Sequence, residues 1–448
     1  MTVTVKRSVT TLVAAMLLIL VVLLIVSSIR PISLPFLSNY IRNQLENRFH
    51  AYYIDFEDAQ FCWNPTKGNA ELHLNSVRAL DYGDNILASV PGVLTNIGLE
   101  SILQGKISIQ NIELQNPKIS FIRTAGGALK FDIGSTDDGA SGRVLETILI
   151  HMATTPITEV SDQKALTKLH IHNSDLTLGD EISASLLHVP NANISLAPNN
   201  EGIGCNYDFN VLARNENLHI SGECLYKTSD EILNLLVNLD KVRPALLTEI
   251  SPQFSYFTPL EVQLTGMVKL ELSKLLSVNK AEFNLDSEKG SLELIDYFGK
   301  NLDILSIHID GKALNNFTHV ELNHLAINLE DSKTEANALF LKSNENLNIK
   351  INAITSGASI TNILPRWFSY LENENLDCIN TSVSNSFKQS KFTIDGIYDL
   401  KQHQISALGH ISCLENNLAA DNSGIKVNAM QKFSLDGAFD SPTLNTIQ

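Results

Sequence analysis

The side chains best suited to chemistry in this chain are few and scattered. Five cysteines stand at Cys62, Cys205, Cys224, Cys378 and Cys413. None forms a Cys-x-x-Cys pair or a zinc spacing. His170 and His172 sit in Leu-His-Ile-His. Two apart in a strand, they share a face, and two imidazoles on one face are half of a metal site. No carboxylate or cysteine stands beside them in sequence to complete it, so they read as solvent-facing. Asp137 and Asp138 lie in a Gly/Ser loop without the further oxygen ligands a calcium loop needs. Phosphate-cradling glycine loops, a GxSxG elbow and an HExxH helix are absent from the sequence. Asn193, Asn316 and Asn380 begin glycosylation sequons, which arise easily by chance in a chain rich in asparagine. The residues thus point to no enzyme, no catalytic group, no metal and no cofactor.

One cysteine pair has a geometry worth following. Ile203, Cys205, Tyr207, Phe209 and Val211 alternate with Asn206, Asp208 and Asn210. Ile220, Gly222, Cys224 and Tyr226 alternate with His219, Ser221 and Glu223. Arg214 to Asn217 is the natural turn between two such strands. Paired positions in an antiparallel hairpin keep a constant sum, so Cys205 and Cys224 fall nearly opposite on the apolar face. Opposed Cβ atoms lie about 4.5–5.5 Å apart, within local adjustment of a disulfide. Two readings stand: a bridge formed in an oxidising compartment, or two small apolar side chains in a sheet.

The elements that hold these residues are mostly strands. Val262, Leu264, Val268, Leu270 and Leu272 share one face of Glu261 to Ser273, against Glu261, Gln263, Thr265, Lys269 and Glu271. Leu347, Ile349, Ile351 and Ala353 alternate with Asn348, Lys350 and Asn352. Such alternation predicts antiparallel sheet with one wet face. The apolar phase also slips by one residue. Leu302 and Ile304 are followed by Leu305, Ile307 and Ile309, and Val320 and Leu322 by Leu325, Ile327 and Leu329. A period of two cannot slip without a bulge, bend or break, which suits a strongly twisted or curved sheet.

Helices are expected to be short and few. Pro35 to His50 places Leu37, Ile41 and Leu45 on one stripe; it would cap a sheet end or lie on a membrane surface. Gly142 to Met152 and Arg243 to Ile250, entered by Pro244, are two more. Ser359 to Leu371 is a fourth candidate, broken at Pro365. Ser135 to Ser141 reads as a linker.

Composition narrows the partners. The 448 residues include 44% apolar and 18% charged side chains, which excludes bulk disorder. A net charge of −16 excludes a nucleic-acid partner and a basic docking face. Thr11 to Ile29 carries no charge, and its nineteen residues span roughly 28 Å as a helix, near the thickness of a bilayer core. Lys6 and Arg7 precede it and predict an inside N-terminus. A cleaved signal peptide is the rival reading. Residues 1–10 then form a cytoplasmic tail, 11–29 a single transmembrane helix, and everything after Arg30 lies on the other side.

Residues Ser101 to Arg123, reading Ser-Ile-Leu-Gln-Gly-Lys-Ile-Ser-Ile-Gln-Asn-Ile-Glu-Leu-Gln-Asn-Pro-Lys-Ile-Ser-Phe-Ile-Arg, resemble a recurring element of AsmA-like bacterial envelope proteins. The turn and strand at Gly126 to Phe131 fit the same element. The stretch from the anchor through Leu34-Pro35-Phe36-Leu37 to Asp55-Phe56 resembles the membrane-proximal start of that group. Leu239 to Leu272, with Arg243-Pro244 and Leu264-Thr-Gly266, is similar to the centre of its YhdP-type members. The resemblance implies an inner-membrane anchor, a membrane-proximal module over 30–134, and an elongated, curled antiparallel sheet forming an open groove over 142–448. It further implies a periplasmic protein that moves phospholipid between inner and outer membranes or aids outer-membrane biogenesis, with other envelope proteins as partners. About fifteen strands at ~4.8 Å would then make a groove of roughly 70 Å. Val262, Leu264, Val268, Leu270 and Leu272 are its expected lining. A non-transporting scaffold with a filled β core is the alternative, because groove and sandwich alternate alike.

Overall fold

The computed structural model describes residues 25–33, 52–65, 69–97, 111–134, 166–213, 216–250, 257–274, 276–293, 301–330, 332–357, 388–402, 404–415 and 426–438, with single positions at 22, 38, 41, 42, 144, 148, 149, 152 and 255. The protein is mainly β. Twenty-four strands, assigned to one sheet, run through the described residues. The sequence reading expected about fifteen. Many of the turns between these strands carry neither Gly nor Pro, so their ends were not marked. The expected linker Ser135 to Ser141, the helix at Ser359 to Leu371 and most of the span at Thr11 to Ile29 lie outside the described residues. Among those described, no helix is long and apolar enough to cross a membrane.

The chain divides into two compact units. Unit 1 comprises residues 1–212 and 223–230, and unit 2 residues 213–222 and 231–448.

Unit 1 holds β1 (Ile32–Ser33), β2 (Tyr53–Asp55), β3 (Asp58–Asn64), β4 (Asn69–Leu80), β5 (Ile86–Ile97), β6 (Asn111–Gln115), β7 (Lys118–Arg123), β8 (Leu129–Ile133), β9 (Lys168–Asp180), β10 (Ser185–Asn199) and β11 (Gly202–Ala213). Directly paired residues share a face, and the register joins them into apolar rows. One row runs Ile32, Phe61, Leu72, Thr95, Ile112, Leu169, Leu196, Cys205. The next runs Ala59, Leu74, Val93, Leu114, Ile171, Ile194, Tyr207. Helical residues cover both. Ile41 packs with Phe56, Ala59, Leu72 and Leu74. Met152, with Ile148 and Leu149 beside it, packs on Leu166, Leu169 and Ile203. Ile41 thus acts as part of a cap on the sheet, one of the two roles expected for its helix. Its neighbour Arg42 lies 4.8 Å over the Phe56 ring and pairs with Asp55 at 3.2 Å.

The expectation of purely antiparallel pairing fails at β9, which runs parallel to both β6 and β7. β6 and β7 are two halves of one line interrupted at Asn116-Pro117. Proline lacks the N–H a ladder requires, and Asn116 turns through a φ of 49°. The buried Ser174 hydroxyl donates to the Pro117 carbonyl at 3.0 Å and bridges the gap.

The far end of β7 is pinned by Arg123. Its Nε donates to Asp180 Oδ1 at 2.9 Å and its Nη2 to Oδ2 at 2.5 Å. The guanidinium bond holds the Asp180 carboxyl well below the usual carboxylate range, against the opposing pull of burial. A carboxyl so depressed contributes stability that is full above its unfolded value, about 3.9. That contribution is lost as pH falls through the folded value. Asp180→Asn should therefore lower the urea midpoint at neutral pH and flatten its decline in acid. An unchanged acid slope would dismiss the pair as a stabiliser.

Unit 2 holds β13 (Ile232–Val242), β14 (Leu260–Glu261), β15 (Leu264–Leu272), β16 (Val278–Ser287), β17 (Gly290–Leu292), β18 (Leu302–Leu314), β19 (His319–Leu329), β20 (Ser332–Lys342), β21 (Asn346–Gly357), β22 (Lys388–Asp399), β23 (Gln404–Glu415) and β24 (Lys426–Ala438). β13, β15, β16, β18, β19, β20, β21, β22, β23 and β24 pair in that order, all antiparallel. The short helical stretch at Pro244–Leu246 and Leu247–Ile250 falls where Pro244 placed it. Both expected phase slips are bulges. One separates Ile304 from Ser306. The other separates Leu322 from Leu325. The extra residue in the first is Leu305, 41% exposed, which the bulge turns away from Ile304 and Ile307.

Candidate functional site

The five apolar residues singled out in Glu261 to Ser273 do not share one environment. The strand breaks at Val262–Gln263, because β14 pairs with β17 while β15 pairs with β13 and β16. Val262 therefore leaves the alternating line. It is 2% exposed and Leu264 is 9% exposed. Both are packed with Ile304 and Ile307, and Leu260, Leu285, Leu292, Ile309, Leu325 and Leu329 press against that cluster. Gly290 permits this closure: a Cβ there would stand 2.6 Å from Val262 Cγ1. These two residues form a closed core rather than a lining.

Val268, Leu270 and Leu272 are different. Each is only partly buried, while Thr265, Met267 and Lys269 on the other face of the strand are exposed. The register carries this face across the unit. From Val268 the row runs Phe283, Gly311, Leu322, Ala338, Ile351, Ile394. From Leu270 it runs Ala281, Ala313, Val320, Phe340, Ile349. In the other direction Val268 and Leu270 meet Val237 and Leu235 of β13. Gly311 is required in its row. A Cβ there would lie 2.7 Å from Phe283 Cζ and 2.6 Å from the Glu321 carbonyl, so the aromatic ring occupies the place of the missing side chain.

The opposite face is charged in alternation. Lys269, Glu282, Lys312 and Glu321 are direct neighbours on successive strands. Lys312 pairs with Glu321 at 2.8 Å and Lys280 with Glu282 at 2.5 Å. The Lys280 ammonium and its lysine neighbours lower the Glu282 carboxyl from its usual value. Opposed charges in register favour this pairing over a slip by one residue, which would bring the apolar set to water. The unit thus presents one apolar, uncharged face, on which the larger side chains such as Val268, Leu270, Phe283, Leu322 and Ile351 are partly open while Ala281, Ala313 and Ala338 are buried between them, and one charged face.

The sequence reading found one strand of the apolar face and missed Phe283, Leu322, Phe340 and Ile351. Their alternation was visible, but bulges reverse its phase, so only the pairings connect them to Val268.

In unit 1 the sulfurs of Cys205 and Cys224 are bonded, with the Cα atoms 4.8 Å apart. Cys224 belongs to β12 (Glu216–Lys227), which starts two residues inside the expected turn. The bridge continues the row that ends Leu169, Leu196, Cys205. His170 and His172 stack at 5.6 Å opposite the buried Leu169 and Ile171. The parallel pairing brings Glu113 of β6 within 3.8 Å of His172 Nε2, a partner far away in sequence. No cluster able to hold a metal occurs among the described residues. Asp137 and Asp138 lie outside them.

No family model, no curated protein and no solved structure matches this chain.

Proposed function

We propose that this chain is a membrane-anchored protein of the bacterial envelope whose aliphatic sheet face takes up the acyl chains of phospholipid, in the manner of AsmA-like proteins. The observation that supports this most is the partly open aliphatic face around Val268 and Leu270. A sheet face in a filled sandwich loses its water to a second layer. Large apolar side chains that stay partly exposed along uncharged rows, with the small alanines buried between them, suit a guest that supplies that layer. Each methylene so buried is worth about 0.8 kcal/mol, so two long chains bind firmly without any headgroup chemistry. The anchor is the uncharged run Thr11 to Ile29, and the disulfide suits export to an oxidising compartment. The chain carries lipid between inner and outer membranes and makes or breaks no covalent bond.

The full chain, purified in a detergent that lipids resist, should carry co-purifying phospholipid detectable by mass spectrometry. Val268→Asp, placing a charge among the rows, should reduce that lipid severalfold. A protein free of lipid under these conditions, and unable to take it from vesicles, would favour the scaffold, in which the same face packs on other parts of the envelope.

A further inference from the structure

Val22 and Ile25–Ile29 are helical. Val22, Ile25, Val26 and Ile29 fall at i, i+3, i+4 and i+7, a single stripe. They are 50%, 56%, 46% and 74% exposed. Four exposed branched aliphatics in one stripe reverse the pattern of a helix that faces water. Another side of the same turns is docked. Ser27 is fully buried, and its carbonyl accepts a hydrogen bond from the Cys62 thiol at 3.4 Å. Burial, with the nearby Glu71 carboxylate, raises the Cys62 pKa and keeps the thiol a donor. The chain then turns through Arg30 into β1, where Ile32 pairs with Phe61 and Ser33 with Gln60. The Ser33 hydroxyl donates to Asp58 at 2.7 Å. Since β1 leads away from the helix and β3 is antiparallel to it, β3 runs back and carries Cys62, Trp63 and Asn64 to the level of the last helical turns.

We propose that this end of β3 lies in the headgroup layer of a phospholipid bilayer, with acyl chains covering the Val22–Ile29 stripe. The inference rests on the anchor reading above and adds where the sheet meets the membrane. Three observations carry it. The stripe is the C-terminal end of the uncharged run that starts at Thr11, so the apolar medium that would cover the run covers the stripe. The Ser27–Cys62 contact sets the height: at 1.5 Å per residue Ser27 lies about 3 Å below the end of the run at Ile29. Trp63 is partly buried, and an indole with an apolar body and a polar N–H suits the water–lipid boundary. The consequence is a continuous path. The apolar row of unit 1 begins at Ile32, three residues past Ile29, so an acyl chain leaving the bilayer meets Ile32, Phe61 and Leu72 first.

Trp63 and Trp367 are the two tryptophans of the chain, which makes the test direct. Full-length protein carrying Trp367→Phe is reconstituted in phosphatidylethanolamine–phosphatidylglycerol vesicles. These contain phosphatidylcholine brominated either near the glycerol or near the chain end. Trp63 emission should be lost, and lost more to the shallow bromines. A second protein, with Trp63→Phe, Trp367→Phe and Val22→Trp, should lose more emission to the deep bromines. Quenching of the Val22→Trp probe without quenching of Trp63 would overturn the inference and leave the anchor standing. Trp63 quenched more by deep bromines would also overturn it, placing β3 in the hydrocarbon. No quenching of either probe would remove the anchor and the inference together.

Discussion

Leu264→Asp should unfold unit 2, while Val268→Asp should leave it folded and remove its lipid. The two residues stand four apart on one strand and face the same way, so sequence treats them as equals. Leu264 is 9% exposed within the cluster of Val262, Ile304 and Ile307. A carboxylate there would stand among the aliphatic side chains of that cluster, and must either stay charged in a buried site or protonate. Large-to-small changes in such cores already cost about 2–5 kcal/mol, and an unpaired charge belongs with the most damaging substitutions. Val268 is only partly buried, with Val237 and Phe283 as paired neighbours. A carboxylate there can keep part of its hydration, so folding should survive. Circular dichroism and limited proteolysis read the folding, and bound phospholipid per mole of protein reads the face. Equal unfolding by both substitutions would mean that the rows are a packed core, and the lipid reading would fall.

Removing the Cys205–Cys224 bridge is the second large effect. The bond closes a loop of sequence separation 19. Closing such a loop restricts the unfolded chain by roughly 3 kcal/mol in the chain-entropy treatment. Cys205→Ala with Cys224→Ala, or reduction of the native protein, should therefore lower the denaturant midpoint of unit 1. Amides of β11 and β12 should also exchange faster, since the bridge ties the two strands of this hairpin together. The partners of the row, Leu196 and Leu169, should follow to a smaller degree. An unaltered midpoint after complete reduction, or free alkylation of both thiols in the exported protein, would remove the bridge as a stabiliser.

Alternation of apolar and polar side chains determined that this chain is β, because a period of two has no other low-energy use. It also placed Leu169 and Ile171 inward and His170 and His172 outward. The phase slips at Leu305 and between Leu322 and Leu325 located two bulges, since register cannot change otherwise. The constant-sum rule put Cys205 opposite Cys224, because a hairpin turn fixes its own register. These are local consequences of backbone geometry. What the tertiary structure decided depends on which strands become neighbours. Periodicity does not encode that β9 accepts β6 and β7 in parallel, or that Glu113 reaches His172. It does not encode that the strand after Glu261 breaks so that Val262 and Leu264 close into a core. Nor does it tell a face covered by Met152 and Ile41 from one left partly open at Val268 and Leu270. A side chain's face follows from its own strand, but its burial depends on what packs over it, and that partner lies far away along the chain.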